Sequence, residues 1–139
     1  MDPDALPYPA RELFPLEFYE DRWNVLTARG SCPFRCPFCS ASFLWQGRRR
    51  ARAPEKVIDE VRMLIESYGA AYVFFVDDIF TLDRRWVRQL LALLERLEYP
   101  LAWGCATRVD MVDPPLLQEM ARAGCRAIQF GVESGAQSI

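Results

Sequence analysis

Short apolar segments alternate with amphipathic stretches along this chain, and that alternation fixes its class before any single residue is considered. Residues 23–28 have strand composition. From Pro54, suited to the first helical position, apolar residues recur at Val57, Ile58, Val61, Leu64, Ile65 and Tyr68 until Gly69 stops the pattern. Residues 70–76 form an apolar run ending in Asp77 and Asp78, the signature of a strand buried on both faces. Asp83 is a good N-cap for a helix with Trp86, Val87, Leu90, Leu91, Leu94 and Leu97 on its inner face, ended by Tyr99 and Pro100. A third strand over 101–106 leads to Asp113, the cap of a short helix bearing Leu116, Leu117 and Met120 and closed by Gly124. A fourth strand is predicted over 127–132. The order is βαβαβαβ, and the last three strand centres lie about 25 to 30 residues apart, as right-handed parallel crossovers require. The class is α/β.

In such sheets ligands bind beyond the carboxyl ends of the strands, so the loops that begin near Gly30, Asp77, Ala106 and Val132 are the ones to inspect. The 139 residues contain no His, which removes Ser-His, Cys-His and His-metal arrangements together. Thiolates, carboxylates and arginines remain. The chain is 51% apolar with a net charge of −2, enough to bury a core and no reason to expect a nucleic-acid partner. No uncharged apolar run approaches the ~20 residues needed to span a bilayer, and the N-terminus does not read as a signal peptide. A soluble, cytoplasmic, thiol-keeping protein is the expectation. Charge is unevenly spread: residues 29–56 carry seven bases against Glu55 alone, whereas the segments on either side are each acidic.

That basic block surrounds Cys32, Cys36 and Cys39, a C-x₃-C-x₂-C run in the loop after the first strand. Three thiolates on one tight loop suit a [4Fe–4S] cube with one iron left open. Zinc is the competitor, with Cys105 or Cys125 completing a four-thiolate set. A disulfide framework does not suit a reducing compartment.

The run, with aromatic Phe38 before its last cysteine, resembles the C-x₃-C-x-aromatic-C signature of the radical S-adenosylmethionine (radical SAM) superfamily, and it sits where that family has it. Residues 74–80 and 130–135 are similar to segments in the branch often fused to a cobalamin-binding domain. The resemblance implies a partial (β/α)₆ barrel with about four of its six parallel strands. It also implies a [4Fe–4S] cluster on Cys32, Cys36 and Cys39, its open iron chelated by the methionine part of SAM. One electron from the reduced cluster then breaks the S–C5′ bond, and the 5′-deoxyadenosyl radical abstracts hydrogen from a substrate. The implied partners are SAM, a low-potential electron donor of flavodoxin or ferredoxin type, and a substrate the sequence does not name. Cobalamin-dependent methyl transfer or methylthiolation, with cobalamin held by an upstream domain, is the reaction this branch suggests.

Further residues take roles from the same resemblance. Asp77 and Asp78 stand where other branches accept hydrogen bonds from the methionine ammonium through a Gly-Gly-Glu segment; the plain alternative is a strand end capping a turn. Glu133 matches the position that binds the SAM ribose, against a surface carboxylate near a helix start. Arg108 suits the SAM carboxylate or a substrate anion, against an arginine paired with Asp110. Phe38 is counted with the SAM contacts. The run from Arg48 to Arg52 reads as a solvated loop or as positive charge easing cluster reduction, and Ala53 replaces a capping Ser. Cys105 and Cys125 are assigned to the core as small hydrophobes.

The Pro-rich, acidic residues 1–21 are read as a linker or strap, similar to the segment that follows the cobalamin domain in that branch. Residues 22–139 are read as the N-terminal part of a radical SAM core, and a truncated reading frame is expected, since four strands leave a parallel barrel open. A non-catalytic cysteine-loop module holding zinc or an electron-transfer cluster is the competing function.

Overall fold

A computed structural model describes residues 2–18, 23–30, 32–45 and 49–136. Its elements are strands β1 (Trp23–Val25), β2 (Ala28–Arg29), β3 (Arg50–Ala51), β4 (Tyr72–Phe75), β5 (Ala102–Thr107) and β6 (Cys125–Phe130), with helices α1 (Ala41–Trp45), α2 (Pro54–Tyr68), α3 (Arg84–Leu94) and α4 (Pro114–Arg122). The main sheet runs β1-β4-β5-β6, every neighbouring pair parallel, so each crossover adds its strand beside the preceding one. A separate antiparallel pair, β2 and β3, sets Ala28 opposite Ala51 and Arg29 opposite Arg50.

Helix ends follow local chemistry. Pro54 opens α2, and Gly69 closes it in the left-handed region at φ 66°, donating to the carbonyls of Ile65 and Leu64. Asp83 accepts from the Trp86 N–H at 3.1 Å and Asp113 from the Leu116 N–H at 2.9 Å. The first turn of α2 has no side-chain cap at Ala53, and the Asp4 carboxylate, from the N-terminal segment, takes the Ala53 N–H at 3.0 and 3.1 Å instead. A carboxylate there also complements the positive end of the helix dipole.

The three long helices pack on one face of the sheet. Val57, Val61 and Leu64 of α2, Val87 and Leu90 of α3, and Leu116 and Met120 of α4 bury themselves against Val25, Val73, Phe75, Trp103 and Cys105. Phe75 lies at the centre, stacked on Phe80 at 5.1 Å and edge-on to Trp103 at 5.5 Å between centroids. The Trp103 indole N–H donates to the Ala123 carbonyl at 2.7 Å, so no polar cost accompanies its burial.

The opposite face is only partly covered, which corrects the expectation for residues 70–76. In β4, Val73 and Phe75 are buried, Tyr72 and Phe74 are half-buried, and Val76 is exposed beyond the strand. One layer of helices buries one set of alternating side chains. Gly104, on that open face, is where Tyr72 and Phe74 cross β5: a Cβ there meets the Tyr72 hydroxyl and the Phe74 ring. The fourth strand begins at Cys125, earlier than 127, because Gly124 turns the chain at φ 97°, where a Cβ would strike the Leu101 carbonyl, and Arg126 is an extra residue in the β5–β6 register. Helix α3 ends at Leu94; Leu97 still packs against the core from the following turn.

The N-terminal segment lies along α2. Its Arg11 is buried and donates to Glu60 at 2.5 Å and to the Asn24 carbonyl at 3.2 Å, while Arg52 reaches the other Glu60 oxygen at 2.6 Å. Tyr8 donates its hydroxyl to the Lys56 carbonyl at 3.1 Å. Of the segment read as 1–21, residues 1 and 19–21 lie outside the described residues.

Candidate functional site

The carboxyl ends of the four parallel strands carry the residues singled out from the sequence. At the first junction the chain leaves β1 as Leu26-Thr27-Ala28, and Asp77, just past β4, gathers that exit. Its carboxylate accepts from the Thr27 hydroxyl at 2.8 Å, the Ala28 N–H at 2.5 Å and the Thr27 N–H at 3.2 Å. Burial pushes this carboxyl up from 3.8 to about 6, against the pull of the Thr27 side-chain hydrogen bond, the two backbone N–H groups and the Arg49 charge. Both Asp77 oxygens are thus committed to the strand ends. Asp78, the next residue, is exposed and makes no hydrogen bond or ion pair with the described residues. The structure separates two neighbours that the sequence left equivalent.

The cysteine loop follows β2. Gly30 turns it at φ 66°, and the Cys39 N–H donates to the Cys36 carbonyl at 3.1 Å, closing a turn over Pro37 and Phe38. Cys32 and Cys36 are half-buried, Cys39 is exposed, and Phe38 stands 69% exposed beside it. None of the five cysteines is in a disulfide. No three His, Cys, Asp or Glu side chains converge on a point as a single metal ion requires, among the described residues. Ligands of a cube each bind a different iron and need no such convergence. In donor chemistry, three thiols on one loop fit a cluster with an open iron.

Cys105 and Cys125 lie elsewhere, both within the helix-side core. The Cys105 thiol is pushed up by its hydrogen bond with Cys125 and then by burial, the condition of an unreactive thiol. A four-thiolate set with the loop is not assembled here.

At the end of β5, Arg108 points its Nε and Nη2 edge at Asp110, at 2.9 and 2.7 Å, and lays its guanidinium over the Phe34 ring at 3.8 Å from the centroid. It is thus the Asp110-paired arginine, and it touches the cysteine loop. Its pKa is raised, first by the Asp110 hydrogen bonds and with further help from the charges of Cys36 and Cys32. Glu133, beyond β6, is exposed and takes a left-handed backbone at φ 50°, uncommon for a residue with a side chain.

Two bases of the block are spent within the fold, while Arg35, Arg50 and Lys56 are exposed. Arg49 pairs with Asp83 at 3.1 Å and lies over the Trp86 ring, and Arg52 pairs with Glu60 and donates to the Leu26 carbonyl at 2.9 Å. Arg48 lies outside the described residues. The buried Arg11-Glu60-Arg52 group was not foreseen, although Glu60 sits in the apolar stripe of α2 between Val57 and Val61 and Leu64, a position where an acid needs a partner. A cleft of about 390 Å³ opens between the N-terminal segment and β2–β3, with Leu6, Pro7, Tyr8, Leu26 and Arg50 in its walls, and none of the residues expected to hold cluster or SAM lines it.

Known proteins are similar to this chain in sequence and in fold. Residues 29–139 match the sequence profile of the Radical SAM superfamily. The chain is 31% identical over 140 residues to an uncharacterised methyltransferase of Pyrococcus horikoshii, covering 98% of this chain and 30% of that protein. It is 30% identical to the cytidylyl-2-hydroxyethylphosphonate methyltransferase of Streptomyces wedmorensis, covering 98% and 28%, and 36% identical to the anaerobic magnesium-protoporphyrin IX monomethyl ester cyclase of Cereibacter sphaeroides, covering 79% and 18%. Among solved structures, the radical SAM methyltransferase TsrM of Kitasatospora setae, with tryptophan substrate and a SAM analog bound, superposes with a TM-score of 0.75 at 23% identity, covering 84% of this chain and 23% of that one. The chain therefore spans less than a third of the length of each of these relatives. With the profile matched over most of its length and the parallel sheet shared, the chain belongs to the radical SAM superfamily.

Proposed function

We propose that this chain holds a [4Fe–4S] cluster through Cys32, Cys36 and Cys39, binds SAM along the strand ends, and serves reductive SAM cleavage leading to methyl transfer. The observation that carries the reading is the three-thiol loop at the carboxyl edge of a parallel sheet in a chain of this superfamily. When bound, the cluster supplies the single electron that breaks the S–C5′ bond of SAM.

The chain's own residues do the rest. Cys32, Cys36 and Cys39 would supply three thiolates to the cluster, leaving one iron for SAM. Exposed Asp78 is free to accept from the SAM ammonium, while Asp77 holds the exits of β1 and β4 in register behind it. Glu133 offers its carboxylate to the ribose hydroxyls, and exposed Phe38 supplies an apolar wall next to Cys39. Arg108, with its fork on Asp110, is assigned to the loop more than to SAM.

Methyl transfer is the favoured outcome because two relatives matched along 98% of this chain are called methyltransferases. A TsrM structure holds both cobalamin and a [4Fe–4S] cluster, and we extend cobalamin dependence to this protein through a domain outside these residues. A flavodoxin- or ferredoxin-type donor and a cytoplasmic, reducing setting complete the proposal; no described helix is long and apolar enough to cross a membrane.

Anaerobic reconstitution tests it. The chain is expected to take up about four irons with a broad visible shoulder, to lose them when any of Cys32, Cys36 or Cys39 becomes Ala, and to change its EPR signal on adding SAM. With reductant, 5′-deoxyadenosine is the expected product. Zinc in place of iron, or a cluster whose EPR signal ignores SAM, would replace this reading with that of a metal-holding or electron-carrying module.

A further inference from the structure

We propose that Arg108 is a positioning residue for the cysteine loop, bracing Phe34, midway in the chain between Cys32 and Cys36, from the end of β5 and setting a fixed cation on that loop whose strength is trimmed by Asp110.

The geometry uses both aspects of one planar group. The face of the guanidinium covers the Phe34 ring at 3.8 Å, a cation–π contact between residues 74 positions apart. The edge is locked in a two-bond fork on Asp110 at 2.9 and 2.7 Å. Asp110 is itself held by the turn Val109–Met111, where the Met111 N–H donates to the Arg108 carbonyl at 3.1 Å. A side chain clamped along its edge cannot rotate about the ring it covers, so Phe34, and with it the chain between Cys32 and Cys36, is referred to the rigid end of a central strand. Lysine has neither plane nor fork and cannot reproduce this.

The electrostatic half rests on the cluster reading proposed above. A cluster gains one negative charge on reduction, so a cation fixed on the loop that carries its thiolates favours the reduced form and a carboxylate opposes it. Arg108 and Asp110 therefore act with opposite signs. Removing the cation lowers the reduction potential, and neutralising Asp110 raises it. A purely structural role predicts no such opposition, because both changes loosen the same loop.

Two measurements on the same chain decide the matter. In the metal-free protein, hydrogen exchange at the amides of Phe34, Arg35 and Cys36 is expected to quicken severalfold in R108Q, R108K and F34L, with the core amides of β4 and β5 unchanged. In the reconstituted protein, the cluster midpoint potential is expected to fall in R108Q, rise in D110N and stay near the parent value in R108K. Unchanged exchange overturns the brace; potentials that move together in R108Q and D110N, or not at all, overturn the charge balance. A parent chain that takes up no iron overturns the proposed function instead, and the exchange comparison then decides the brace on its own.

Discussion

The helix-covered face of the sheet and its carboxyl rim are built on opposite terms. On the covered face the large side chains are buried and their polar atoms are partnered, as with the Trp103 indole on the Ala123 carbonyl. Along the rim, Phe38, Val109 and Val132 are between 69% and 73% exposed, and Asp78 and Glu133 stand exposed beside them. Such a mixture of uncovered apolar and polar groups is what a ligand-binding edge presents. Between the two regions lie the buried charged groups Glu60, Arg11 and Asp77, held by partners within the fold except at the Arg11 Nη1, which has none among the described residues. The difference teaches that the residues holding the fold and those assigned to the proposed chemistry are different ones, even when they adjoin as Asp77 and Asp78 do.

The largest expected effect breaks the spent charges. Glu60→Ala leaves Arg11 and Arg52 without their shared counter-ion and is expected to cost about 3–5 kcal/mol, read from denaturant midpoints; a loss below about 1 kcal/mol would mean water replaces the carboxylate. Next comes Asp77. Its folded value of about 6 lies above the ordinary 3.8, so the fold binds this proton more tightly than the unfolded chain does. That contribution is full below about pH 3.8 and vanishes as pH rises through about 6, a change of about 3 kcal/mol at 1.36 kcal/mol per unit. In Asp77→Asn the part of the pH dependence of melting temperature that falls between 4 and 6 is expected to disappear; an unchanged profile assigns it to other groups.

Gly124→Ala follows, at about 2 kcal/mol, since a Cβ there strikes the Leu101 carbonyl and must adopt φ 97°; thermal melts give the number. The smallest effect on stability belongs to the rim. Asp78→Asn and Glu133→Gln are expected to move stability by no more than about 0.5 kcal/mol while weakening the SAM-induced change in the cluster EPR signal. A rim variant that unfolds the chain erases the distinction between the two regions, and one that leaves the SAM response intact removes that residue from the site.

Much of this was legible where chemistry is local. Pro54, Gly69, Asp83, Asp113 and Gly124 mark helix ends because capping and left-handed turns depend on neighbours within four residues. The parallel order followed from the alternation of periods, and the cysteine run announced itself by spacing. What could not be read depended on distance along the chain. Arg108 meets Phe34 and Arg11 meets Glu60 only after folding, and no period in the sequence links them. The division of labour between Asp77 and Asp78 is decided by which of them turns inward at the end of β4. The uniform apolarity of residues 70–76 misled for a related reason, since it records what a strand tolerates and not how many layers cover it.

The N-terminal segment holds α2 at Ala53 through Asp4, at Lys56 through Tyr8 and at Glu60 through Arg11. Those three positions are spaced three and four residues apart, one face of a helix. The segment is therefore indexed to α2 as a key is to its wards. Sliding by a fraction of a turn forfeits all three holds at once, and a whole turn does not restore them, because the next positions are Val57, its N–H already bonded to the Ala53 carbonyl at 3.2 Å, and Leu64, which has no carboxylate for Arg11, so the attachment fixes a single register.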